Sequence, residues 1–356
     1  MGIETSDSPA PVGRRLLIAV CLLLALGFGL RTIDIWLKPD IPGVVAAPDE
    51  GYSVMLATGT WTELFRQTAA DTHPPFYYAL LKVWFLAAPG TQASARFLSV
   101  LFSTGTLIYV FLLGRRLFGN AAALCALAFA ALAPYQIYWG HLARMHAVLP
   151  LFVAMIIYHT LAWLEEGRRR DWLLCALGWV LAVQTNYMGL VFGAVWGVAV
   201  LAWSAAPWRQ RLLLLPAGLV GLVTFLPWLR MVLDQVESGP MNRNFFQETV
   251  SPVYLYYHAL FGVMHPYQPN QQGIAYVFFL LFAILFVAGI APVGRRPGLW
   301  VLLLLAPTLP IVIAKSQGWT LAERHLLFTL PLFMAYWGAC CVSFWGYLRQ
   351  KLKKAP

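Results

Sequence analysis

Ten apolar runs divide this chain, and nothing else in the sequence constrains its fold as strongly. They occupy residues 15–36, 95–113, 120–137, 146–164, 172–187, 189–206, 212–231, 274–291, 298–314 and 326–346. A helix needs about 20 predominantly apolar residues to cross a bilayer, somewhat fewer where its ends snorkel. Inside lipid every backbone N–H and C=O must be satisfied within its own segment, so runs of this kind are helical. Composition agrees: of 356 residues, 60% are hydrophobic and only 11% are charged. Soluble domains carry about a quarter charged residues, and a chain this poor in charge cannot cover a water-facing surface. The expected fold class is therefore an all-α integral membrane bundle of about ten transmembrane helices, forming a single membrane domain over 1–356.

The formal net charge of +10 raises nucleic acid as a partner, but its distribution excludes it. The basic residues form short clusters between apolar runs: Arg14-Arg15, Arg115-Arg116, Arg168 to Arg170, Arg209/Arg211, Arg295-Arg296 and the tail from Arg349 to Lys354. That is the pattern of cytoplasmic loops. Residues 75–88 are apolar but short and contain Lys82. If they lie along the outer interface, 15 of the 25 basic residues are cytoplasmic and 10 are exterior. If they cross, the split becomes 8 inside to 17 outside, against the positive-inside rule. The expectation is an interfacial helix within a first exterior loop of 37–94, a second long exterior loop at 232–273, and both termini in the cytoplasm. Arg14-Arg15 opens a signal-like apolar stretch with no small-residue cleavage site after it, which reads as an uncleaved first span. The short basic tail leads to the expectation of no soluble C-terminal domain. Cys21, Cys125, Cys175, Cys340 and Cys341 all lie inside apolar runs and imply neither a metal site nor a disulfide framework.

Ionisable residues that border a membrane default to a site hypothesis. Asp49-Glu50 follow Ala46-Ala47-Pro48, a sequence that also suits an ordinary helix start, since proline sets φ and acids in the first turn oppose the dipole. Tyr52, Met55 and Leu56 continue as an apolar stripe. Thr72-His73-Pro74-Pro75-Phe76-Tyr77-Tyr78 forces an extended approach that holds His73 at a turn. His141 to His146 and Lys315 to His325 put Arg144, Lys315, Arg324 and their histidines on the exterior side, where the positive-inside preference disfavours cations. A bound phosphate would retain them, because arginine pairs with phosphate oxygens; snorkelling at a span end accounts for them equally well. Trp61, Trp319 and Tyr254 fit sugar stacking or an interfacial aromatic belt.

The order of these elements is recognisable. Asp49-Glu50, His-Pro-Pro-Phe-Tyr-Tyr-Ala-Leu-Leu-Lys-Val-Trp at 73–84 and Ala-Arg-Phe-Leu-Ser-Val-Leu-Phe at 95–102 come first. Gly-Arg-Arg-Leu-Phe-Gly at 114–119, Ala-Arg-Met-His-Ala at 143–147 and Glu-Arg-His-Leu-Leu-Phe-Thr-Leu-Pro at 323–331 follow. Over about 45–331 the series resembles the bacterial branch of the dolichyl-phosphate-mannose protein mannosyltransferase-like family, which has the C-type (GT-C) glycosyltransferase fold. The aminoarabinose transferases acting on lipid A are relatives. The resemblance implies a catalytic acid at Asp49 with Glu50 beside it, a donor pocket shaped by His73, and Arg324 near a polyprenyl phosphate. The chain departs from the pattern where relatives have Gln-Glu-Ala-Arg-Met-Tyr: here the second acid is Leu142 and the tyrosine is His146. Arg-Tyr likewise becomes Arg324-His325. Those changes weaken a carboxylate-bridged metal, so no cofactor and no divalent metal are expected.

The reading that follows is a multi-pass enzyme of the inner (plasma) membrane that works on its exterior, periplasmic face. It moves a sugar from a polyprenyl-phosphate donor to a lipid, glycan or protein acceptor with inversion, using Asp49 as base. Donor phosphate and sugar are expected at His73, Arg144, Lys315, Arg324 and His325. Further sugar or acceptor contacts are expected from Tyr52, Tyr77, His141, His146 and Tyr254. The alternatives are a lipid-sugar flippase and a non-catalytic family member. A transporter favours ionisable residues at the midplane, whereas here they gather at one face.

Overall fold

The computed structural model describes residues 13–37, 48–237, 284–288, 290–294, 296–317 and 321–354. Tyr254, Trp319, most of the second long loop and most of the 274–291 run lie outside the described residues. The first long helix is α1 (Arg14–Leu37). Three short helices follow: α2 (Pro48–Thr58), α3 (Trp61–Ala69) and α4 (Phe76–Trp84). Next come α5 (Gln92–Phe118), α6 (Asn120–Leu132), α7 (Pro134–His141), α8 (Leu149–Glu166), α9 (Arg169–Thr185) and α10 (Met188–Leu201). The chain then runs through α11 (Trp208–Glu237), α12 (Pro297–Gln317) and α13 (Leu330–Lys354).

Among the described residues, six helices are long and apolar enough to cross a membrane, or seven if α6 and α7 form one broken span. The expected runs 172–187 and 189–206 are helices of 17 and 14 residues, α9 and α10. The protein is thus a multi-pass helical membrane protein. The 75–88 segment is the nine-residue α4, about 13 Å long at 1.5 Å per residue, and therefore too short to cross.

The innermost helix is α13, which packs along α6 and α5, while α8 packs on α9 and α9 on α11. Close approach at the α6–α13 seam depends on Gly338, where an added Cβ would lie 2.2 Å from the Ala122 carbonyl oxygen. Helices α1 and α11 are peripheral and expose Leu17, Leu22, Leu219, Val223 and Leu226, as lipid-facing surfaces do.

The bend between α6 and α7 is 62°, and it has a local cause. Pro134 at the start of α7 cannot donate a backbone hydrogen bond, so carbonyls near the end of α6 need other partners. Arg31 supplies them: Nη2 donates to the Ala130 carbonyl at 3.0 Å and Nη1 to that of Ala131 at 3.2 Å. Its Nε donates to Ser103 Oγ at 2.9 Å. A cation buried in an apolar span is thereby satisfied by backbone dipoles.

The basic clusters gather at one end of the bundle. Arg116 Nε donates to Glu165 Oε2 at 2.9 Å, and Arg116 also pairs with Glu166. Arg296 Nη1 reaches the Leu117 carbonyl at 3.1 Å, and Trp163 Nε1 that of Gln210 at 3.0 Å. The opposite end carries α2 to α4 and the acid, histidine and arginine residues singled out above.

Candidate active site

Pro48 places Asp49 and Glu50 together in the first turn of α2, but the two carboxylates part. Asp49 is exposed. Glu50 is 1% exposed and turns inward to α5, where Arg96 Nε meets its Oε1 at 3.0 Å and Arg96 Nη2 its Oε2 at 2.6 Å. Gln92 Nε2 donates to Oε2 at 2.7 Å, and the Ala143 backbone N–H to Oε1 at 2.8 Å. Burial pushes the Glu50 carboxyl up, but Arg96, the Ala143 amide and Gln92 together hold it below the usual carboxylate range. Both oxygens are committed. Glu50, expected as a second catalytic acid, instead joins α2 to α5 and to the irregular strand of chain after α7.

That strand matters because its backbone leaves the helix. Leu142 and Arg144 are extended, and a 3₁₀ turn at Met145–Ala147 precedes α8. Buried non-helical backbone requires hydrogen-bond partners, and Glu50 provides one for Ala143. Arg144 then points back at α2 and α4: Nη1 donates to the Asp49 carbonyl at 3.1 Å and to the Tyr78 hydroxyl at 3.3 Å. The side chain is 7% exposed and its Nε makes no hydrogen bond. Burial opposes its charge, but Tyr78, Asp49 and Asp71 outweigh that and hold the proton more firmly than usual.

Beside Arg144 lies a cluster of imidazoles drawn from three separate stretches of chain. The His73 and His146 ring centroids are 6.2 Å apart, and those of His146 and His325 are 5.3 Å apart, both edge-on. Trp139 lies 6.0 Å from His146, and the Arg324 guanidinium sits 6.0 Å from the Trp139 ring centre. His73 is pushed well below its ordinary value, first by burial and then by Arg144, His325 and Arg324. At neutral pH it is a neutral hydrogen-bonding ring and not a cation. Below His146 is a cavity of about 30 Å³ bordered by Ser103, Gln136 and Gly140. The described residues include no group of three His, Cys, Asp or Glu arranged to hold a metal ion.

Not every expected residue joins this cluster. Tyr77 is fully buried with its hydroxyl 3.1 Å from Ser99 Oγ, so it packs α4 on α5 and does not line the opening. Tyr52 is half-buried, edge-on to Tyr78 at 6.1 Å, and burial, then Asp71, push its hydroxyl up to about 12. His141 Nδ1 is 2.9 Å from the Ile137 carbonyl one turn back. Lys315 is exposed in the last turn of α12. Two residues at the site were given no role by the sequence reading. Arg96 lies in the Ala-Arg-Phe element at 95–102, and the motif did not reveal that it pairs with Glu50. Asp71 directly precedes the Thr-His-Pro-Pro motif and shares the field of Arg144 with Asp49.

A sequence model of the dolichyl-phosphate-mannose-protein mannosyltransferase family matches residues 72–230. ArnT from Cupriavidus metallidurans bound to undecaprenyl phosphate superposes with a TM-score of 0.59 at 17% identity, covering 92% of this chain and 60% of that one. The fold is the GT-C glycosyltransferase fold. The apo oligosaccharyltransferase of Archaeoglobus fulgidus aligns with a TM-score of 0.64 at 14% identity, over 95% of this chain and 52% of that one. The archaeal AglB from the same organism, in complex with an inhibitory peptide and a dolichol-phosphate, gives 0.61 at 14% identity over 96% and 52%. This GT-C chain therefore spans about half to three-fifths of the length of those solved proteins. No curated relative matches it in sequence. The mannosyltransferase-like resemblance rests on the matched segment 72–230, which begins one residue before His73 and includes Arg96, Arg144 and His146.

Proposed function

We propose that this GT-C protein transfers a sugar from a polyprenyl-phosphate carrier to an acceptor on the exterior face of the membrane. The observation that carries the reading is one constellation: exposed Asp49, whose backbone carbonyl accepts from the buried Arg144 guanidinium with its unbonded Nε, next to three imidazoles and Arg324. Cations and neutral N–H donors suit a phosphate that gains charge as it leaves, and a low-dielectric surround strengthens them. The lipids bound in two of the solved neighbours, undecaprenyl phosphate and dolichol-phosphate, support a lipid-carried donor here.

In this reading the acceptor oxygen bonds the anomeric carbon as the bond to the phosphate oxygen breaks, with inversion. The electron pair leaves on the polyprenyl phosphate, and the acceptor proton goes to a carboxylate. Asp49 serves as that base, or as electrostatic partner of the developing oxocarbenium charge. Arg144, Arg324 and His73 hold the phosphate, with Lys315 at the rim. The basic end then faces the cytoplasm with both termini, the enzyme sits in the plasma membrane, and no metal is required.

The test is transfer of label from polyprenyl-phosphate sugars in membranes carrying the protein. Asp49→Asn is expected to slow transfer by about 10²- to 10⁴-fold, the usual worth of positioned proton transfer. Transfer at the wild-type rate by that variant would remove Asp49 from the chemistry. Lipid-sugar flipping without any transfer by the wild type would replace the enzyme with a transporter.

A further inference from the structure

Among the described residues, three carboxylates are half-buried or buried, and one of them makes no ion pair. Glu50 is held by Arg96, and Asp171 at the basic end by His159 and Arg168 at 2.8 Å each. Asp71 forms no ion pair among the described residues; the Thr72 hydroxyl lies 3.5 Å from its Oδ1, and the Thr72 amide donates to the carboxyl. A carboxylate withdrawn from water costs free energy unless it is paired.

Its position is fixed without using the side chain. The Asp71 backbone N–H donates to the Thr68 carbonyl at 3.2 Å, closing the end of α3. Gln235, 1% exposed near the end of α11, clamps that end from the other half of the molecule: its Nε2 donates to the Thr68 and Ala69 carbonyls at 3.0 and 3.1 Å. Tyr187 donates to Gln235 Oε1 at 2.7 Å, and Trp228 Nε1 donates to the Tyr187 hydroxyl at 2.9 Å. The carboxylate so placed shares the Arg144 field with Asp49, and immediately precedes the turn that carries His73.

We propose that Asp71 is a second catalytic carboxylate of this site, taking the proton of the acceptor hydroxyl while Asp49 faces the positive charge growing at the anomeric carbon. This rests on the glycosyltransferase reading and divides its two carboxylate roles between two residues. The acceptor O–H proton passes to an Asp71 oxygen as the acceptor oxygen bonds the anomeric carbon. The bond to phosphate breaks with its electron pair on the leaving polyprenyl phosphate, so no redox partner enters. The electrostatics agree with this division. Burial pushes the Asp71 carboxyl above its ordinary range, the Thr72 amide and Arg144 draw it part of the way back, and Asp49 opposes them. Tyr52 on α2, Tyr78 on α4 and Tyr187 just before α10 also feel this carboxylate, which adds to burial in pushing each hydroxyl up. A carboxylate with raised proton affinity is the better base near neutral pH.

The experiment compares wild type, Asp71→Asn, Asp71→Glu and Asp49→Asn in membranes from cells lacking the native gene. The probes are radiolabelled undecaprenyl-phosphate mannose, arabinose and aminoarabinose, and transfer is followed against pH. Wild-type activity is expected to fall on the acid side as Asp71 protonates. Asp71→Asn is expected to lose about 10²-fold or more, and its residual rate to lack that acid limb. Asp49→Asn should be slow yet keep the limb, and Asp71→Glu should retain the limb at reduced rate. Detergent-solubilised unfolding temperatures check that each variant is folded; if Asp71→Asn is not, Asp71→Glu decides by whether its limb persists. A wild type that transfers together with an Asp71→Asn that keeps the rate or the limb overturns the Asp71 assignment alone. A wild type that transfers from none of the three donors overturns the glycosyltransferase reading and this inference with it.

Discussion

Neutralising Glu50 removes the charge that it sets against the buried Arg96 guanidinium, and breaking a buried pair from one side costs about 3–5 kcal/mol. Glu50→Gln is therefore expected to lower the unfolding temperature in detergent, whereas the exposed Asp49→Asn leaves it unchanged; equal unfolding temperatures would show that the inward-facing carboxylate is not structural. The same pair predicts a pH dependence. The folded-state Glu50 carboxyl lies below its ordinary value, so its contribution is fully present above the usual carboxylate range. It is lost as pH falls through the lower, folded-state value. His73 gives a second window. Its proton affinity is depressed in the fold, so the folded state is favoured above the ordinary histidine value and loses that advantage as pH falls below it. An unfolding temperature measured from pH 7 downward should decline first below about 6.5, from histidine, and again in the carboxylate range. Glu50→Gln should shrink the second step, leaving the part that Asp171, also held below the usual carboxylate range by His159 and Arg168, contributes.

Elements carry the site because they meet where side chains are small or absent. Gly338 on α13 lies against the α6 backbone, and an added methyl would sit 2.2 Å from the Ala122 oxygen and 2.9 Å from the Ala126 nitrogen. Backbone cannot move aside as a flexible side chain can, so Gly338→Ala is expected to destabilise by about 1–3 kcal/mol. Gly29→Ala on α1, where a Cβ meets nothing within 4 Å, should be neutral or stabilise by up to about 1 kcal/mol. Thermal unfolding of the two variants side by side measures the seam; matching values would mean that α6 and α13 are not in close contact. The short helices obey local rules that are legible in sequence. Thr60 caps α3 by accepting from the Glu63 N–H at 3.2 Å, while Glu63 Oε2 accepts from the Thr60 N–H at 2.7 Å, the reciprocal pair expected of Thr-x-x-Glu.

At the scale of the whole molecule, ion pairs and hydrogen bonds draw the basic loops to one end, opposite the candidate site. If the positive-inside rule sets orientation, the two ends face different compartments. In a cysteine-free background, a cysteine replacing the exposed Thr62 on α3 should react with an impermeant maleimide in intact cells. One replacing the exposed Ser204, between α10 and α11, should react only after permeabilisation. The reverse pattern would place the site in the cytoplasm and exclude an exterior acceptor.

Apolar run length and the spacing of arginines were enough, read along the chain, to give an all-α membrane bundle and its charged end, because bilayer thickness and backbone hydrogen bonding leave few alternatives. The short α4 followed from the same arithmetic. Local order also marked Asp49, His73, Arg144 and Arg324 as one group. Tertiary structure alone decided how neighbours divide. Asp49 and Glu50 are adjacent in sequence, yet successive side chains on a helix point about 100° apart, and α5 offers Arg96 to only one of them. It also decided that Tyr77 faces Ser99 rather than the opening. Arg31 spans to the broken end of α6, about 100 residues away, a partnership no local pattern encodes. Asp71 gained its place in the same way, because Gln235 clamps the Ala69 carbonyl at the end of α3 from a helix 166 residues further along.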